Sequence, residues 1–227
     1  MRSGCVVAWE NAKMKITIFC SSETHPVNYM LKRWINLHQA QHDVVLVRSK
    51  SQLESGDILF LISCGEIIDA ADRNKFKKTL VIHASDLPQG RGWSPHVWAI
   101  LEGADQLVVT LLEAEDKVDS GRVWGKLRVE VPKHLLCHEI NALLFEAESQ
   151  LMTFAVENFH CVRPVIQPEV GSSYYPKRNP DNSELDPEQS ISNQFDLMRI
   201  SDPDRFPAFF RMHGFKYKVS LERIDDE

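Results

Sequence analysis

The order of strand-like and helical segments predicts an α/β protein with a doubly wound, Rossmann-like and mostly parallel sheet, completed by a short C-terminal arm and a hairpin. Strand-like runs at residues 14–20, 43–48 and 57–63 alternate with segments of helical periodicity. The run DILFLIS at residues 57–63 is continuously apolar, which is typical of a parallel strand buried on both faces. Such sheets bind ligands beyond the carboxyl ends of their strands, so the loops that follow the strands are the first place to look for a site.

The first half of the chain supplies the alternating elements. Met14 precedes the first convincing strand, and Pro26 suits the first turn of a helix. A short helix is predicted at residues 67–77, a buried strand at residues 79–82 that ends on His83, and a helix at residues 97–101. The face of the first helix shows three- and four-residue spacing through Val27, Met30, Leu31, Trp34, Ile35 and His38.

The second half begins with a strand at residues 107–112 and an acidic loop at residues 113–121. An alternating, antiparallel-type strand at residues 122–130 and a long amphipathic helix at residues 135–159 follow, and this helix is predicted to close the core. The remaining segments are an extended proline-rich arm at 164–190, a helix at 188–200, an aromatic cluster predicted to pack in the core (Phe206, Phe209 and Phe210), and a strand or hairpin at 210–222.

The composition indicates a globular protein of the cytoplasm. A chain of 227 residues with net charge −6 argues against a general nucleic-acid binder, and no apolar run approaches the length of a membrane span. The five cysteines are scattered without a CxxC pair, so free thiols are expected, and the scattered histidines indicate no metal site. We expect a flexible extension at residues 1–13, a catalytic domain at residues 14–162, and an arm, helix and hairpin at residues 163–227 that pack on it.

Two residues stand out as reactive groups. His83 lies where a buried strand opens into the loop-forming stretch ASDLPQGRGWSP, and Asp119 lies in the acidic loop after the next strand. A parallel βαβ topology is expected to bring both loops to one edge of the sheet, where a histidine–carboxylate pair can move protons near neutral pH. The alternatives are an ordinary strand-end histidine and a turn residue in Asp-Ser-Gly. The first strand is followed by SSETHP, without the GxGxxG turn of a nicotinamide enzyme.

Several motifs in order resemble the formyltransferase family that uses N10-formyltetrahydrofolate. His-x-Ser-x-Leu-Pro, Arg-Gly, a downstream proline, a Trp-Ala-Ile-Leu helix and Asp-Ser-Gly after a strand occur across residues 57–125. These motifs are carried by His83, Ser85, Leu87, Pro88, Arg91, Gly92, Pro95, Trp98 to Leu101, and Asp119 to Gly121. The resemblance implies that His83 and Asp119 are catalytic, with Asp119 orienting His83.

The resemblance also exposes a departure. The family pattern places an asparagine two residues before the histidine, where its amide helps to polarise the formyl oxygen, and this chain has Val81 there. Loss of an oxyanion donor costs about 3 kcal/mol of transition-state stabilisation. A backbone N–H, or a hydroxyl from Ser63, Thr79 or Ser85, is expected to compensate.

The resemblance implies that formyl-folate is the co-substrate and that no metal is required. Its pterin is expected near the strand ends, against the first loop (Ser63, Cys64, Gly65 and Ile67) and the acidic loop (Glu113, Glu115 and Asp116).

For the acceptor, the tail YYPKRNPDNSELD, followed by DLMRI and RFPAFF, resembles the linker of sugar N-formyltransferases. This implies a nucleotide-linked amino sugar, with a UDP-linked 4-amino-4,6-dideoxy sugar of the pseudaminic-acid type as the favoured subclass. The expected contacts are Arg91, Gly92, Trp93, Tyr174, Tyr175, Lys177 and Arg178. The two cations suit a diphosphate, although a solvated charge pair is equally compatible, and the aromatic rings suit stacking.

Other readings of the same residues stay open. Glycinamide ribonucleotide formyltransferase would leave residues 174–209 unexplained, whereas the acidic chain without a separate basic domain argues against a tRNA substrate. A non-catalytic nucleotide-sugar-binding homologue is the remaining alternative because of Val81. A homodimer is compatible with all of these readings.

Overall fold

The computed structural model describes residues 12–224, so the predicted N-terminal extension lies outside the described residues apart from its last two positions. The first half contains β1 (Lys15–Phe19), α1 (Asn28–His38), β2 (Asp43–Val47), β3 (Gly56–Leu61), α2 (Ala70–Arg73), β4 (Phe76–His83), β5 (Arg91–Gly92) and α3 (Pro95–Leu101). The second half contains β6 (Gln106–Glu113), β7 (Val123–Glu130), α4 (Cys137–Glu157), β8 (Tyr174–Tyr175), α5 (Ile191–Ile200), β9 (Ala208–Met212) and β10 (Phe215–Val219). Short 3₁₀ turns occur at Lys50–Gln52 and Pro180–Ser183.

A six-stranded sheet of order β2-β1-β3-β4-β6-β7 forms the centre of the molecule. Strands β2, β1, β3 and β4 are parallel, and β6 and β7 are antiparallel to their neighbours. Strands β9 and β10 form the C-terminal hairpin, and β5 pairs in parallel with β8. The predicted α/β class, with a mostly parallel sheet and a C-terminal hairpin, is confirmed.

The two faces of the sheet are covered unequally. One face packs against α1, α3, α4 and α5 in a single core cluster that includes Ile58, Phe60 and Leu80 from the central strands. The opposite face carries a smaller cluster that includes Leu59, Leu61 and Ile68, with Val81 packed against it. Because side chains alternate along a strand, Thr79, Val81 and His83 of β4 share this second face. It is covered mainly by loops and by the single turn of α2.

Several predicted boundaries are wrong. The predicted helix at residues 67–77 is one turn, Ala70–Arg73, because β4 begins three residues early and its Phe76 and Lys78 pair with Gly56 and Ile58 of β3. Helix α5 begins at Ile191 rather than at residue 188, because the Ser190 hydroxyl accepts from the N–H of Asn193 and caps the helix there.

The predicted aromatic core cluster is only partly correct. Phe209 is buried, but Phe206 is 54% exposed, and Phe210 stacks on Tyr217 within the hairpin with ring centroids 5.3 Å apart. Only one of the three rings therefore contributes a fully buried side chain.

Helix α4 carries a buried carboxyl that gives a measurable pH dependence. The Oε2 atom of Glu148 is buried and has no hydrogen-bond partner among residues 12–224. Burial raises the pKa of Glu148 from about 4.5 to about 8, so the folded chain keeps a proton that the unfolded chain releases. Stability contributed by the neutral carboxyl is therefore present at acidic pH and is lost as the pH rises from about 4.5 to about 8.

Replacement of Glu148 by glutamine is expected to raise the free energy of unfolding at pH 8.5 more than at pH 4.5, by up to roughly 5 kcal/mol, since one pKa unit corresponds to about 1.4 kcal/mol. Urea unfolding at both pH values measures this difference, with the exposed Glu157→Gln as the matched control. An equal effect of Glu148→Gln at the two pH values would contradict the buried-carboxyl explanation.

Candidate active site

The site centres on His83 and Asp119, both largely excluded from solvent. His83 ends β4, and its Nε2 lies 2.8 Å from the carbonyl oxygen of Gly90. Its Nδ1 lies 3.6 Å from Oδ1 of Asp119, which is an electrostatic contact rather than a hydrogen bond. The predicted pair is therefore present in a buried position where charges interact strongly.

The way in which Asp119 reaches His83 differs from the expectation. Strand β6 runs antiparallel to β4, with Thr110 opposite His83 and Glu113 opposite Leu80, so its carboxyl end points away from His83. The expectation that β6 runs parallel to β4 is therefore wrong. The β6–β7 hairpin loop begins where the N–H of Ala114 donates to the Thr79 carbonyl, and it returns across the loop-covered face to place Asp119 beside His83.

The backbone after β4 fixes both members of the pair. The N–H of Gly92 donates to Oδ2 of Asp119 at 2.9 Å, while the Gly90 carbonyl faces His83. Gly92 has φ +99°, and a Cβ there would lie 2.4 Å from the Tyr175 carbonyl oxygen. Thr110, which the sequence did not single out, donates its hydroxyl to the Ser85 carbonyl at 2.6 Å. The Arg-Gly motif is thus part of the structure that positions the carboxylate.

Gln167, in the arm, is a second residue that the sequence did not single out. It is buried, and its side chain contacts Arg91 and the backbone of residues 119–121. No local pattern marks it, because its partners are 46 to 76 residues away in the chain.

The loop-covered face beside His83 is apolar at its centre. Val81 is half-buried and forms an apolar floor, with Cys64 and Ala114 packed against the same cluster from the loops on either side. Burial raises the pKa of the Cys64 thiol, so it stays uncharged. Arg73 of α2 donates to the Ile68 carbonyl and pairs with Asp116, which joins the two loops.

The remaining predicted co-substrate residues divide into two groups. Ser63, Gly65 and Ile67 lie in the loop after β3, and the Gly65 N–H donates to the Ser21 hydroxyl. Glu115 is exposed in the acidic loop. Glu113 does not join them, because it is opposite Leu80 on the helix-covered face and its carboxylate accepts from Lys78 and from the Trp124 indole N–H. The prediction for Glu113 as a pterin contact is therefore not supported by its position.

Two of the three candidate substitute hydroxyls are buried and have no hydrogen-bond partner among the described residues, those of Thr79 and Ser85. Ser63 is exposed and has φ +47°. Thr79 lies four residues before His83 on an extended strand, which separates their Cα atoms by about 13 Å. Ser85 lies beside Gly90, the residue whose carbonyl contacts His83. A Cβ built on Gly90 would be 2.9 Å from the Ser85 Cβ and 3.4 Å from the Ser85 hydroxyl.

The arm brings the predicted acceptor residues together. Arg91 and Gly92 pair with Tyr174 and Tyr175 across β5 and β8. The Lys177 ammonium lies 4.7 Å from the Trp93 ring centroid, and both Trp93 and Tyr174 are exposed. This arrangement leaves an aromatic and cationic surface next to the Arg-Gly motif.

Tyr175 and Arg178 have structural partners. The Tyr175 ring stacks on Trp98 at 6.0 Å, and its hydroxyl donates to Glu102 at 2.6 Å. Arg178 lies over the same Trp98 and donates to the Asn182 carbonyl, although its Nε is buried without a partner among residues 12–224. These two side chains hold the arm against α3.

Of two further histidines, His96 lies near His83, and His25 lies near His96. His96, at the start of α3, has its pKa lowered to about 4 by burial and by His83, His25 and Arg178 nearby. His25 has its pKa lowered to about 4 by burial and Arg205, against an opposing effect of Asp202. Both rings are therefore uncharged near neutral pH, so they add polar surface without positive charge.

Within residues 12–224, no cluster of three or more His, Cys, Asp or Glu side chains is arranged to hold a metal ion. No helix in the same range combines the length and hydropathy that a membrane span requires.

Comparison with known proteins gives one family. The family model described as formyl transferase matches residues 20–156, more than half of the chain. A methionyl-tRNA formyltransferase from Protochlamydia amoebophila is 25% identical over 173 residues, which cover 74% of this chain and 54% of that protein. The chain therefore spans about half the length of this relative.

Solved structures share the fold. HypX from Aquifex aeolicus in complex with tetrahydrofolic acid superposes with a TM-score of 0.79 at 22% identity, covering 92% of this chain and 38% of that one. A 4-N formyltransferase from Francisella tularensis superposes with a TM-score of 0.74 at 18% identity, covering 94% of this chain and 99% of that one.

The geometry at Gly92 makes a testable prediction. Gly92→Ala adds positive-φ strain, which costs about 1–2 kcal/mol, and a backbone clash with Tyr175. Gly171→Ala is the matched control, because Gly171 has φ +85° with nothing within 4 Å of a built Cβ. We expect Gly92→Ala to lower the free energy of unfolding by at least about 1 kcal/mol more than the control, and to expose the arm to proteolysis near Tyr174. Equal stability and equal protease resistance of the two variants would contradict this packing.

Proposed function

The chain belongs to the formyl transferase family, and we propose that it transfers a formyl group from N10-formyltetrahydrofolate to the amine of a nucleotide-linked amino sugar. The single observation that carries the proposal is the buried His83–Asp119 contact, with the Gly92 N–H holding the carboxylate. When bound, formyl-folate supplies the electrophilic formyl carbon.

His83 is proposed as the acid/base group. A hydrogen bond to the Gly90 carbonyl requires a proton on Nε2, so in the neutral ring Nδ1 keeps its lone pair. Nδ1 is also the atom that faces Asp119. A proton taken up at Nδ1 from the attacking amine would lie next to the carboxylate, which stabilises the imidazolium by charge. As the bond between N10 and the formyl carbon breaks, this proton would pass to N10, and tetrahydrofolate would leave.

Ser85 is proposed as the substitute for the amide that Val81 lacks. Its hydroxyl is buried without a partner among the described residues, and it lies beside Gly90, the residue that His83 contacts. Thr79 is too far along β4 to act on the same oxygen as His83, and its free hydroxyl instead suits a polar atom of a bound pterin.

The proposed co-substrate site is the loop-covered face of β4. Val81, Cys64 and Ala114 would contact the flat faces of the pterin, and residues 63–67 and 115–116 would border it. The likeness to HypX, which is solved in complex with tetrahydrofolic acid, supports a folate as the co-substrate.

The proposed acceptor contacts come from the arm. Lys177 and Arg178 provide positive charge for a diphosphate, and the exposed Trp93 and Tyr174 rings can stack on a base or sugar. The likeness to the Francisella 4-N formyltransferase supports transfer to an amine nitrogen. A sugar N-formyltransferase from Shewanella, which superposes with a TM-score of 0.70 at 16% identity and covers 94% of this chain and 99% of that one, supports a sugar acceptor. The relative from Protochlamydia makes a methionyl-tRNA acceptor the second candidate.

The direct test is incubation with formyl-folate and a panel of UDP- and dTDP-linked amino sugars, glycinamide ribonucleotide and charged initiator tRNA. We expect a mass gain of one formyl group on a nucleotide sugar, with an equal amount of tetrahydrofolate released. Turnover of one of the other acceptors without turnover of any nucleotide sugar would reject the proposed acceptor. Binding without turnover of any acceptor would indicate a non-catalytic protein.

Replacement of either His83 or Asp119 gives a further prediction. His83→Asn and Asp119→Asn are each expected to lower turnover at least about a hundredfold, because general acid–base groups contribute about 10²- to 10⁴-fold. The matched control is His213→Asn at the exposed turn of the hairpin. Near-normal turnover in either site variant would remove that residue from the mechanism.

The assignment of Ser85 as the hydrogen-bond donor to the formyl oxygen gives another prediction. Ser85→Ala is expected to lower kcat by at least about tenfold, in the direction of the loss seen when an oxyanion donor is removed, and Thr79→Val is expected to change kcat by less than about threefold. Because Val81→Asn restores the amide of the family pattern, we expect it to recover activity in the Ser85→Ala background. A larger loss of kcat in Thr79→Val than in Ser85→Ala would reverse the assignment.

A further inference from the structure

Gln167 is a buried polar residue in the arm whose amide is fully occupied. Its Nε2 donates to the carbonyl oxygens of Asp119 at 3.0 Å and Gly121 at 2.8 Å, and its Oε1 accepts from Nη2 of Arg91 at 2.8 Å. Only 7% of the residue is exposed. A buried amide with every one of these groups paired has a single orientation, because a flipped amide would place its oxygen against two carbonyls.

Asp119, whose carbonyl accepts from Gln167, is in a strained conformation. Asp119 has φ +55°, the left-handed region that costs a non-glycine residue about 1–2 kcal/mol. In this conformation its carbonyl points to Gln167 while its side chain points to His83 and Gly92. Without a partner for the carbonyl, the loop would relax toward an unstrained conformation and move the carboxylate.

The neighbouring glycine leaves little freedom for the loop to compensate. A Cβ built on Gly121 would lie 1.8 Å from the Glu113 carbonyl oxygen, so the backbone there is pressed against the end of β6. Gln167 bonds the chain on both sides of Ser120, at positions 119 and 121. It therefore holds the turn as a unit rather than at a single atom.

The Arg-Gly motif holds Asp119 in two ways, directly through Gly92 and indirectly through Arg91 and Gln167. Gly92 donates directly to the carboxylate, and Arg91 orients the Gln167 amide that donates to the Asp119 carbonyl. We propose that Gln167 is a positioning residue, which sets the Asp119 carboxylate against His83 by fixing the strained turn at residues 119–121. The inference rests on the proposed function for its catalytic consequence, but the geometric consequence can be measured without any substrate.

This role makes the arm part of the active centre. Gln167 lies seven residues before β8, which carries the proposed acceptor contact Tyr174 and is followed by a second one, Lys177. The docking of the arm thus supplies both a surface for the acceptor and the amide that orders Asp119.

The decisive variant is Gln167→Glu, which keeps an oxygen for Arg91 but removes both N–H donors to the turn. We expect kcat to fall by about 10- to 100-fold with the KM for formyl-folate within about twofold. In an Asp119→Asn background we expect Gln167→Glu to cause no further loss, since a positioning residue acts only through the group that it positions. Gln41→Glu, at an exposed position, is the matched control for the added charge.

A substrate-free measurement separates this proposal from the proposed function. Long-range ¹H–¹⁵N spectra report the ring nitrogens of His83, and we expect Gln167→Glu and Asp119→Asn to shift them alike while Gln41→Glu leaves them unchanged. If Gln167→Glu does not yield folded protein, Gln167→Met removes the same donors without adding charge.

The outcomes are distinct. Unchanged His83 signals in a folded Gln167 variant, alongside shifted signals in Asp119→Asn, would overturn the positioning role. Additive losses of kcat in the double variant would overturn it too, because they would show that Gln167 acts independently of Asp119. If Gln167→Glu shifts the His83 signals while the wild-type chain formylates none of the acceptors, the positioning role is supported and the proposed function is rejected.

Discussion

The buried electrostatic contact between the Asp119 carboxylate and His83 is the constraint on which the rest of the site depends. Two charged or chargeable groups that are both largely excluded from solvent must be held in place, because a buried carboxylate without partners is costly. The N–H of Gly92 satisfies one oxygen, and the backbone of Asp119 is held in a strained conformation to direct the other toward Nδ1. The close packing at Gly92 and Gly121 follows from this requirement.

Three distant segments assemble around that contact. The loop after β4 provides Gly90 and Gly92, the β6–β7 hairpin provides Asp119, and the arm provides Gln167 and β8. The helix-covered face of the sheet supplies the large core, whereas the loop-covered face leaves an apolar floor at Val81. We propose that the ligand binds on the loop-covered face, and the proposed site residues Val81 and His83 of β4 therefore alternate with Leu80 and Ile82 of the larger core cluster.

The sequence was sufficient for features with local signals. The continuous apolar run of β3, the periodicity of α1 and the loop-forming stretch after His83 predicted the α/β class and the position of the histidine. Features that depend on distant pairing were not accessible. The antiparallel direction of β6, the opposite-face placement of Glu113 and the role of Gln167 depend on contacts with no local pattern. The sequence pattern suggested the pairing of His83 with Asp119 through a parallel topology that is incorrect, and the resemblance implied the same pair independently.

We propose that a formyl donor and an amine acceptor meet at His83, and that Ser85 replaces the side-chain amide that Val81 lacks. A crystal structure with a stable formyl-folate analogue and a nucleotide-linked amino sugar measures this directly. We expect the pterin over Val81 between the two loops, the formyl oxygen within hydrogen-bond distance of Ser85, and the sugar amine next to His83. A folate analogue bound away from β4, or a formyl group facing neither His83 nor Ser85, would contradict it.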